Sequence, residues 1–395
     1  MKKKKLVIFG DYLLLIILVA ISGSPLFRNP IYIAFYFIYL LFYMFIRKKI
    51  ALLFSFSKRE FIFMYIFLVI SCLHAVIYEG FISFSYFVLF VKVFIAILIL
   101  KYLQYNFILY YCKILKWLCI ASLFFWSLFV IFPILVPLAF KLGIDVTYTT
   151  NDIDRSLIIY HLNPNSFSFF LVRNNGAFWE PGGFVLFIMI AILFTFIREG
   201  KVNYKSIGIY IITLITTFST AGYLALLTFI SLNYIVVKRN YLYSLLVVLI
   251  FAYGYYNIDF LADKVQKEIS YTEQQGSQNF RSRYGSFDLD LKIFSASPLI
   301  GRGYSTERFD YKIYGILDEE NNGSISSPTD FLARFGLIGF SVYLFSLFYS
   351  FSVLSKSREN SLICLVVFWI IGFSQSCYFL PFFLTIPFLY IIKNK

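Results

Sequence analysis

The chain has 395 residues, of which 60% are hydrophobic and only 14% are charged, and its mean hydropathy is +0.78. A soluble domain of this length does not carry so much apolar sequence, so the composition excludes an ordinary globular protein. The formal net charge is +14. The basic residues lie between apolar runs, which favours contact with anionic lipid headgroups over nucleic-acid binding as the reason for this charge.

Apolar runs of nearly 20 residues recur along the chain, and such runs can cross a hydrocarbon core of about 30 Å as helices. They are continuous and do not alternate, which argues against a membrane barrel. The sequence therefore predicts an all-α, polytopic membrane protein with about 12 transmembrane helices in one integral membrane domain over residues 1–395. The predicted helices cover about 6–22, 31–46, 60–78, 84–100, 117–140, 183–197, 206–219, 222–237, 241–257, 329–354, 361–376 and 379–392.

The basic residues predict the orientation of these helices. One set of connections carries 21 of the 35 lysines and arginines, whereas the short connections on the other side carry only Arg28. Because cytoplasmic connections are enriched in lysine and arginine, both termini are predicted to be cytoplasmic. The lysine run before the first apolar run resembles a signal peptide, but the small-x-small cleavage site is not convincing and eleven more predicted spans follow, so we interpret it as the start of an anchored helix.

Two connections are much longer than the others, and both are predicted to lie outside. The first outer loop covers about 141–181 and the second about 258–328. Loops longer than about 15 residues are uncommon in compact proteins unless they are functional or disordered. Apolar residues recur at helical spacing within the second loop, so we expect these loops to contain short helices on the outer surface.

The boundary between the first outer loop and the sixth predicted helix carries Arg173, Trp179 and Glu180. Glu180 lies at a predicted helix start, where the helix dipole favours a carboxylate, so a charged cap is one interpretation. A general base or charge stabiliser in a polar pocket is the other. Arg173 either reaches lipid phosphates or clamps an anionic substrate, because the guanidinium group matches phosphate geometry.

Arginines also recur in the second outer loop, at Arg281, Arg283 and Arg302. One interpretation is that they pair with nearby acids such as Asp288 and Asp290. The other is that the arginines of both outer loops together neutralise a pyrophosphate. The sequence leaves both interpretations open.

The run from Ser327 to Asp330 predicts the start of the next helix, with Ser327 as the cap and Asp330 as the reciprocal acid of a capping box. Arg334 follows Asp330 by four residues, which is the spacing of a helical ion pair. The alternative interpretation is that Asp330 and Arg334 form a charged pair that lines the outer vestibule.

Few ionisable residues lie within the predicted spans. Asp11 and Lys92 lie within predicted spans, where charges are costly, so we expect them to pair with each other. His161, in the first outer loop, is a further candidate base. No metal-ligand cluster and no glycine-rich nucleotide motif occurs, so neither a metal nor a cofactor is expected.

Three motifs together resemble those of a known family. Arg173-x-x-Gly176-x-x-x-Glu180-Pro181 is similar to an Arg-Gly-Pro motif at the outer end of a helix, and Ser219-Thr220-Ala221-Gly222-Tyr223 is similar to a tight turn between two short helices. Arg281 to Gly303, with the helix Phe331-Leu332-x-x-Phe335-Gly336-Leu337-Ile338-Gly339, is similar to a large loop and its exit helix. Over about residues 117–355 the chain thus resembles the O-antigen polymerase and ligase superfamily of polytopic glycosyltransferases.

The ligase branch usually carries a histidine just before the exit helix. Here Ser327 to Asp330 occupies that place, and residues 258–328 contain no histidine. This departure favours the branch of repeat-unit polymerases.

The resemblance implies a metal-independent glycosyltransferase that polymerises undecaprenyl-pyrophosphate-linked oligosaccharides at the outer face of the bacterial cytoplasmic membrane, for O-antigen, capsule or exopolysaccharide. It implies membrane lipids, a chain-length regulator and a flippase as further partners, and no nucleic acid. Applied to this chain, it places Arg173 and Arg281 on the pyrophosphate. Glu180 becomes the candidate base, and the supporting residues are Trp179 stacking on sugars, Arg283, Arg302, Asp330, Arg334 and His161.

A transporter of lipid-linked oligosaccharides is the alternative from another class, because it would share this topology and these arginines. Transporters usually place polar residues near the middle of the membrane. Here the polar residues concentrate in the two outer loops, which favours the enzyme.

Overall fold

The computed structural model describes residues 2–79, 84–146, 154–168, 171–257, 283–304 and 326–392. Within these ranges the chain is mostly helical, as expected for an all-α membrane protein, and five two-residue strands accompany the helices. In chain order the helices are α1 (Lys2–Gly23), α2 (Ile31–Ile46), α3 (Lys58–His74), α4 (Phe84–Leu103), α5 (Asn106–Ile131), α6 (Leu135–Leu142), α7 (Pro181–Glu199), α8 (Tyr204–Thr216), α9 (Thr220–Leu232), α10 (Tyr241–Asn257), α11 (Arg283–Ala296), α12 (Ser327–Ser355) and α13 (Arg358–Gly372).

Six helices in the described ranges are long and apolar enough to cross a membrane. They are Lys58–Tyr78, Phe84–Leu103, Asn106–Ile131, Pro181–Glu199, Thr220–Val237 and Ser327–Ser355. Other apolar helices are shorter, and α2 with its 16 residues reaches only about 24 Å, less than a hydrocarbon core of about 30 Å. The predicted number of about 12 spans, and the side on which the termini lie, therefore remain predictions.

Two predicted helices differ from the structure. The predicted helix 117–140 is divided into α5 and α6, because Pro133 in the turn between them cannot continue the hydrogen-bond ladder of α5. The predicted span 379–392 is wrong. The chain there forms a buried 3₁₀ helix, Phe383–Ile391, which contains Pro387 and reaches only about 18 Å at about 2 Å per residue.

Helix α7 lies at the centre of the bundle. Its residues 181 to 197 are all buried, and it packs against α5, α8, α9 and α13. This burial explains why the sequence of α7 has no polar face, since a helix surrounded by other helices is apolar all round. As a consequence, the residues that begin α7 lie in the middle of one end of the bundle.

The first outer loop folds against the ends of α5 and α6. The strands β1 (Ile144–Asp145), β2 (Arg155–Ser156) and β3 (His161–Leu162) pair antiparallel in that order, and β4 (Phe167–Ser168) pairs with β5 (Leu171–Val172). A small apolar core lies beneath them, formed by Phe129, Ala139, Tyr160 and Leu162. The described part of the first loop after α6 is thus mainly stranded, and the predicted short helices are represented there by one 3₁₀ helix, Pro164–Ser166. In the second loop the described residues include α11.

Helix α12 is interrupted at Gly336, whose φ of 61° and ψ of −168° are not helical. Four backbone hydrogen bonds join the interruption to residues 298–303: Arg302 N to Ala333 O at 2.8 Å, Gly303 N to Arg334 O at 3.0 Å, Leu337 N to Pro298 O at 2.8 Å and Ile338 N to Leu299 O at 3.1 Å. The backbone groups released by the break are therefore satisfied within the protein, as buried peptide groups require.

Two glycines allow these backbones to meet. A Cβ atom on Gly336 would lie 2.4 Å from the carbonyl carbon of Leu299, and one on Gly301 would lie 2.4 Å from that of Arg334. Both glycines also have a positive φ, of 61° and 77°. No larger residue can occupy either position without moving the backbone.

The end of the bundle opposite the starts of α7 and α12 carries most of the basic residues, and we call it the basic end. There the Lys101 ammonium group lies 2.6 Å from the Glu60 carboxylate, and both are buried. The Asp11 carboxylate accepts hydrogen bonds from Tyr43 at 3.1 Å and Tyr102 at 2.9 Å. In the described ranges Asp11 has no ion pair with Lys92, so that expected pair is wrong, because tyrosine hydroxyls satisfy the carboxylate instead.

We expect Gly336→Ala to destabilise the protein, because the added methyl group meets the Leu299 backbone and the left-handed conformation is strained for alanine. The thermal midpoint in detergent should fall by several degrees, in keeping with a cost of about 1–3 kcal/mol. Gly208→Ala in α8 is the control, since a Cβ there meets nothing within 4 Å. Equal midpoints for the two variants would contradict the proposed close packing.

Candidate functional site

The end of the bundle that carries the two long connections is called the loop end. It contains the starts of α7 and α12 and the connection from α13 to the 3₁₀ helix, residues 373–382. The charge distribution predicts that this end faces outside. Most of the candidate residues in the described ranges lie here.

Glu180 is the N-cap residue of α7, with Pro181 as the first helical residue, as predicted. Its backbone carbonyl accepts a hydrogen bond from Phe184 N at 3.0 Å. Its side chain makes no capping hydrogen bond. Instead, the amide of Gln375 donates a hydrogen bond to Glu180 Oε1. The carboxylate is therefore directed toward another part of the chain, not toward its own helix.

The glycine pair that follows Pro181 leaves room for neighbouring side chains. A Cβ on Gly183 would lie 2.6 Å from the indole ring of Trp179. A Cβ on Gly182 would lie 3.1 Å from both the Gln375 amide nitrogen and Glu180 Oε1. The two glycines thus let the indole and the amide approach the start of α7 closely.

The start of α12 meets the same connection. Ser327 Oγ donates a hydrogen bond to the Gln375 carbonyl oxygen and accepts one from Cys377 N at 2.6 Å. Ser376 Oγ donates a hydrogen bond to Asp330 Oδ2 at 3.4 Å. The predicted capping box is wrong, because the N-cap is Ser326, which makes no side-chain cap, and the Ser327 hydroxyl and Asp330 carboxylate bind other partners.

Asp330 and Arg334 form the predicted helical ion pair, with Asp330 Oδ1 2.7 Å from Arg334 Nε. The Asp330 side chain is buried and that of Arg334 is 17% exposed. The guanidinium group also lies 5.0 Å from the centre of the Tyr304 ring and 5.5 Å from that of Phe379. Such enclosure makes the loss of either partner costly, because it leaves a shielded charge behind.

Glu180 and Asp330 are therefore held by consecutive residues, Gln375 and Ser376. The two carboxylates thus bind neighbouring residues of one connection, whose Cα atoms lie about 3.8 Å apart. We call the group Glu180, Gln375, Ser376, Asp330 and Arg334 the carboxylate cluster. It joins residues that are far apart in the sequence at the centre of the loop end.

Arg173 lies over the turn between α8 and α9. Its Nε donates a hydrogen bond to the Thr217 carbonyl oxygen at 3.3 Å, and Nη2 donates one to that of Phe218 at 3.4 Å. The side chain is half-buried. The buried Asn174 amide fixes this stretch by donating hydrogen bonds to Ser122 Oγ and Thr216 Oγ1. Arg173 thus links the predicted tight turn at residues 219–223 to the boundary of the first outer loop.

The arginines of the second loop are only partly described. Arg281 lies outside the described residues, and Arg283 begins α11, but its side chain lies outside the description. Arg302 is half-buried, with its guanidinium carbon 4.9 Å from the centre of the Tyr78 ring. The meeting of these arginines with Arg173 in one pocket remains a prediction.

Helix α11 nevertheless lies at the loop end, against α12. Thr329 Oγ1 donates a hydrogen bond to Asp290 Oδ2 at 2.9 Å, and Asp290 is buried. Thr329 precedes Asp330 directly. The helix that begins at Arg283 is therefore anchored beside the carboxylate cluster, while Asp288 pairs with Lys292 at 2.7 Å.

His161 is enclosed within the first outer loop. Its backbone N donates a hydrogen bond to the Gly176 carbonyl oxygen at 2.6 Å, and its side chain is 1% exposed. Burial lowers the pKa of His161 to about 4, and this effect outweighs the Asp154 carboxylate 3.9 Å away. The ring is neutral near pH 7 and has no access to the surface, which makes it a poor candidate for a base.

Several residues at the loop end were missed as functional candidates. Gln375 and Ser376 belong to a short polar run between two apolar segments, which was the available signal. His74 contacts the Ile300 carbonyl oxygen through Nε2 and the Tyr86 hydroxyl through Nδ1, both at 2.9 Å. Since a carbonyl only accepts, Nε2 carries the proton, and His74 anchors the segment that covers the break in α12.

No group of histidine, cysteine and acidic side chains in the described ranges could hold a metal ion. The cluster contains instead two carboxylates, one guanidinium group and neutral donors. Such a set can accept a proton from a hydroxyl group and can stabilise charge.

We expect the buried His161 ring to make stability depend on pH. Between pH 6.5 and about 4 the unfolded chain binds a proton that the folded ring resists, so the free energy of unfolding should fall as the pH is lowered. The loss should approach about 3 kcal/mol at the acid end of this range. Unfolding in detergent at several pH values, with His161→Phe as the comparison, measures it. An unchanged pH dependence in His161→Phe would contradict the assignment.

Comparison with known proteins adds one finding. Residues 205–344 match the family model described as O-antigen ligase, whereas no curated protein and no solved structure gave a match. The matched residues run from α8 into α12 and include the turn at 219–223, α11 and the interruption at Gly336. The motif at 173–181 precedes them. Over residues 205–344, about a third of the chain, the protein is therefore similar to the O-antigen polymerase and ligase superfamily.

Proposed function

We propose that this protein is a repeat-unit polymerase, a metal-independent glycosyltransferase that joins undecaprenyl-pyrophosphate-linked oligosaccharides at the outer face of the bacterial cytoplasmic membrane. The product is a surface polysaccharide such as O-antigen, capsule or exopolysaccharide. The family match supports a polymerase-type or ligase-type function in polysaccharide synthesis and acceptance of lipid-linked oligosaccharides. A chain-length regulator and a flippase remain predicted partners.

One observation carries the proposal for the site. Glu180 at the start of α7 and Asp330 at the start of α12 contact consecutive residues, Gln375 and Ser376. This arrangement puts two acidic side chains at the centre of the loop end. A polymerase needs such a group where the hydroxyl of the acceptor meets the donor.

The reaction assigns a distinct role to each carboxylate. Glu180 accepts the proton of the acceptor hydroxyl, and the hydroxyl oxygen forms a bond to the anomeric carbon of the donor. The bond from that carbon to the pyrophosphate oxygen breaks, and the lipid pyrophosphate leaves with the electron pair. Asp330 is paired with Arg334 and buried, so it is the weaker candidate base and orients the cluster instead.

Arginine side chains stabilise the pyrophosphate as it leaves. Arg173 is half-buried, and its guanidinium group donates hydrogen bonds to the carbonyl oxygens of Thr217 and Phe218, which hold it at the boundary of the first outer loop. Arg281 and Arg283 are proposed to join it, with Arg302 in support. Trp179, packed over Gly183 beside Glu180, offers an aromatic face for a sugar ring.

Two observations bear on the competing functions. The ligase branch usually carries a histidine before the exit helix. Here Ser327 and Asp330 lie at that position, and both form hydrogen bonds with the connection after α13. This favours a polymerase. A transporter is less consistent with the polar cluster, because the cluster lies at one end of the bundle rather than near the middle.

We expect Glu180→Gln to reduce polymer formation by about 10²- to 10⁴-fold, the usual contribution of a general base. Glutamine keeps the size of the side chain and removes its ability to accept the proton. Arg173→Gln should reduce it by about 10²-fold, through lost stabilisation of the leaving group. The assay supplies purified protein in detergent with lipid-linked repeat units and scores polymer length.

Glu199→Gln is the matched control, because Glu199 ends the same helix at the basic end. It should leave polymer length unchanged. Full-length polymer from correctly inserted Glu180→Gln would remove Glu180 from the mechanism. Polymer made in micelles by the unaltered protein also excludes a transporter, which produces none without two compartments.

A further inference from the structure

A deep apolar groove runs along the outside of the bundle between α1 and α5. Its volume is about 800 Å³. The residues that wall it include Ile17, Ala20, Ser24, Ile114, Ala121 and Phe178. The carboxylate cluster does not contribute to this groove, so the proposed chemistry does not account for it.

The groove follows the axes of α1 and α5, because residues of both helices line it. Along α1 its wall runs from Tyr12 to Ser24, a distance of about 18 Å at about 1.5 Å per residue. Ile16 and Trp117 belong to the wall and are 44% and 71% exposed. The groove therefore opens sideways, where the lipid of a membrane would lie. A hydrocarbon chain suits such a mostly apolar wall, whereas a sugar, with its hydroxyl groups, does not.

At the loop end the groove leads to the candidate site. There its wall is completed by Ala177 and Phe178, which directly precede Trp179 and Glu180 in the sequence. A chain lying in the groove would therefore present its end to the segment that carries the proposed base. This continuity separates the groove from an ordinary gap between helices.

The same end of the groove carries a strained turn. Ile158 and Ile159, between β2 and β3, reach the groove and are 62% and 42% exposed. Ile158 has a φ of 71°, which is rare for a β-branched residue. Its N donates a hydrogen bond to Ser156 Oγ at 3.2 Å. The fold thus holds an aliphatic tip in an unfavourable conformation over the groove mouth, as strained residues at ligand sites often are.

The wall of the groove contains a shielded polar group at the loop end. The Ser24 hydroxyl is shielded at the loop end, and it has no hydrogen-bond partner among the described residues. The wall between Ser24 and Tyr12 on α1 consists of apolar side chains, and the charged residue in the wall, Lys113 on α5, is exposed. The shielded hydroxyl of Ser24 therefore lies at the same end of the groove as the segment that leads to Glu180.

We propose that this groove binds the polyprenyl chain of the lipid-linked oligosaccharide, with the pyrophosphate end beside Ser24 and Phe178. The identity of the lipid rests on the proposed function. The groove holds the chain while the head group reaches the loop end, so that the substrate is oriented by its lipid as well as by its phosphates. A phospholipid acyl chain is the competing occupant.

The test uses a photoactivatable polyprenyl pyrophosphate without sugar, added to the purified protein in detergent. The label should fall on peptides of α1 and α5. Ala121→Phe fills the groove and should lower labelling by about tenfold, equal to about 1.4 kcal/mol of binding. Ile120→Phe is the control, since Ile120 is the next residue, is partly exposed and does not line the groove. It should label normally.

Equal labelling of the two variants, or label confined to other helices, would overturn the proposal. So would competition by phosphatidylglycerol as effective as that by unlabelled polyprenyl phosphate, because the groove would then be a general lipid site. The labelling requires no turnover. If the unaltered protein makes polymer and Glu180→Gln does not, but the groove is not labelled, only the groove proposal is refuted. If the groove is labelled but Glu180→Gln makes full-length polymer, only the assignment of Glu180 is refuted.

Discussion

The contact of two helix starts with one short polar run organises the loop end of this protein. Glu180 begins α7, and the Gln375 amide donates a hydrogen bond to it, while the next residue, Ser376, binds Asp330 near the start of α12. In an apolar bundle few polar partners exist, so hydrogen bonds of this kind specify which elements meet. The central burial of α7 and the glycines at 182 and 183 make this contact possible, since they bring the start of α7 to the middle of the bundle and leave space beside it.

A second constraint acts at the break in α12. The helix gives up its own hydrogen bonds around Gly336, and residues 298–303 supply replacements from the backbone. This joint fixes the described end of the second outer loop and, through the Asp290–Thr329 hydrogen bond, α11 as well. Residues 298–303 and α11 are thereby held at one end of the bundle, which suits a site built from distant parts of the sequence. The lateral groove between α1 and α5 reaches this end from the lipid side.

Much of this arrangement could be predicted from the sequence, because apolar runs, basic connections and proline or glycine positions act locally. The helix that starts at Pro181, the pair of Asp330 with Arg334 and the family resemblance that residues 205–344 support all follow from such patterns. The role of Ser327 could not be predicted, because its hydroxyl binds residues about 50 positions later instead of its own helix. Gln375 was missed for the same reason, and Asp11 shows that a buried carboxylate can be satisfied by tyrosines from other helices. Tertiary partners decided each of these cases.

The most direct measurement asks whether Glu180 and Gln375 are neighbours in the membrane. Glu180→Cys with Gln375→Cys, in a chain whose five native cysteines are replaced, is treated with a short bifunctional thiol reagent. The account predicts an efficient intramolecular crosslink. It predicts none for Glu199→Cys with Gln375→Cys, because Glu199 lies at the far end of α7, about 28 Å away from Glu180 along the helix. A failure of the first pair to react, with both thiols accessible to a single-site reagent, would contradict the shared cluster on which the proposed site depends.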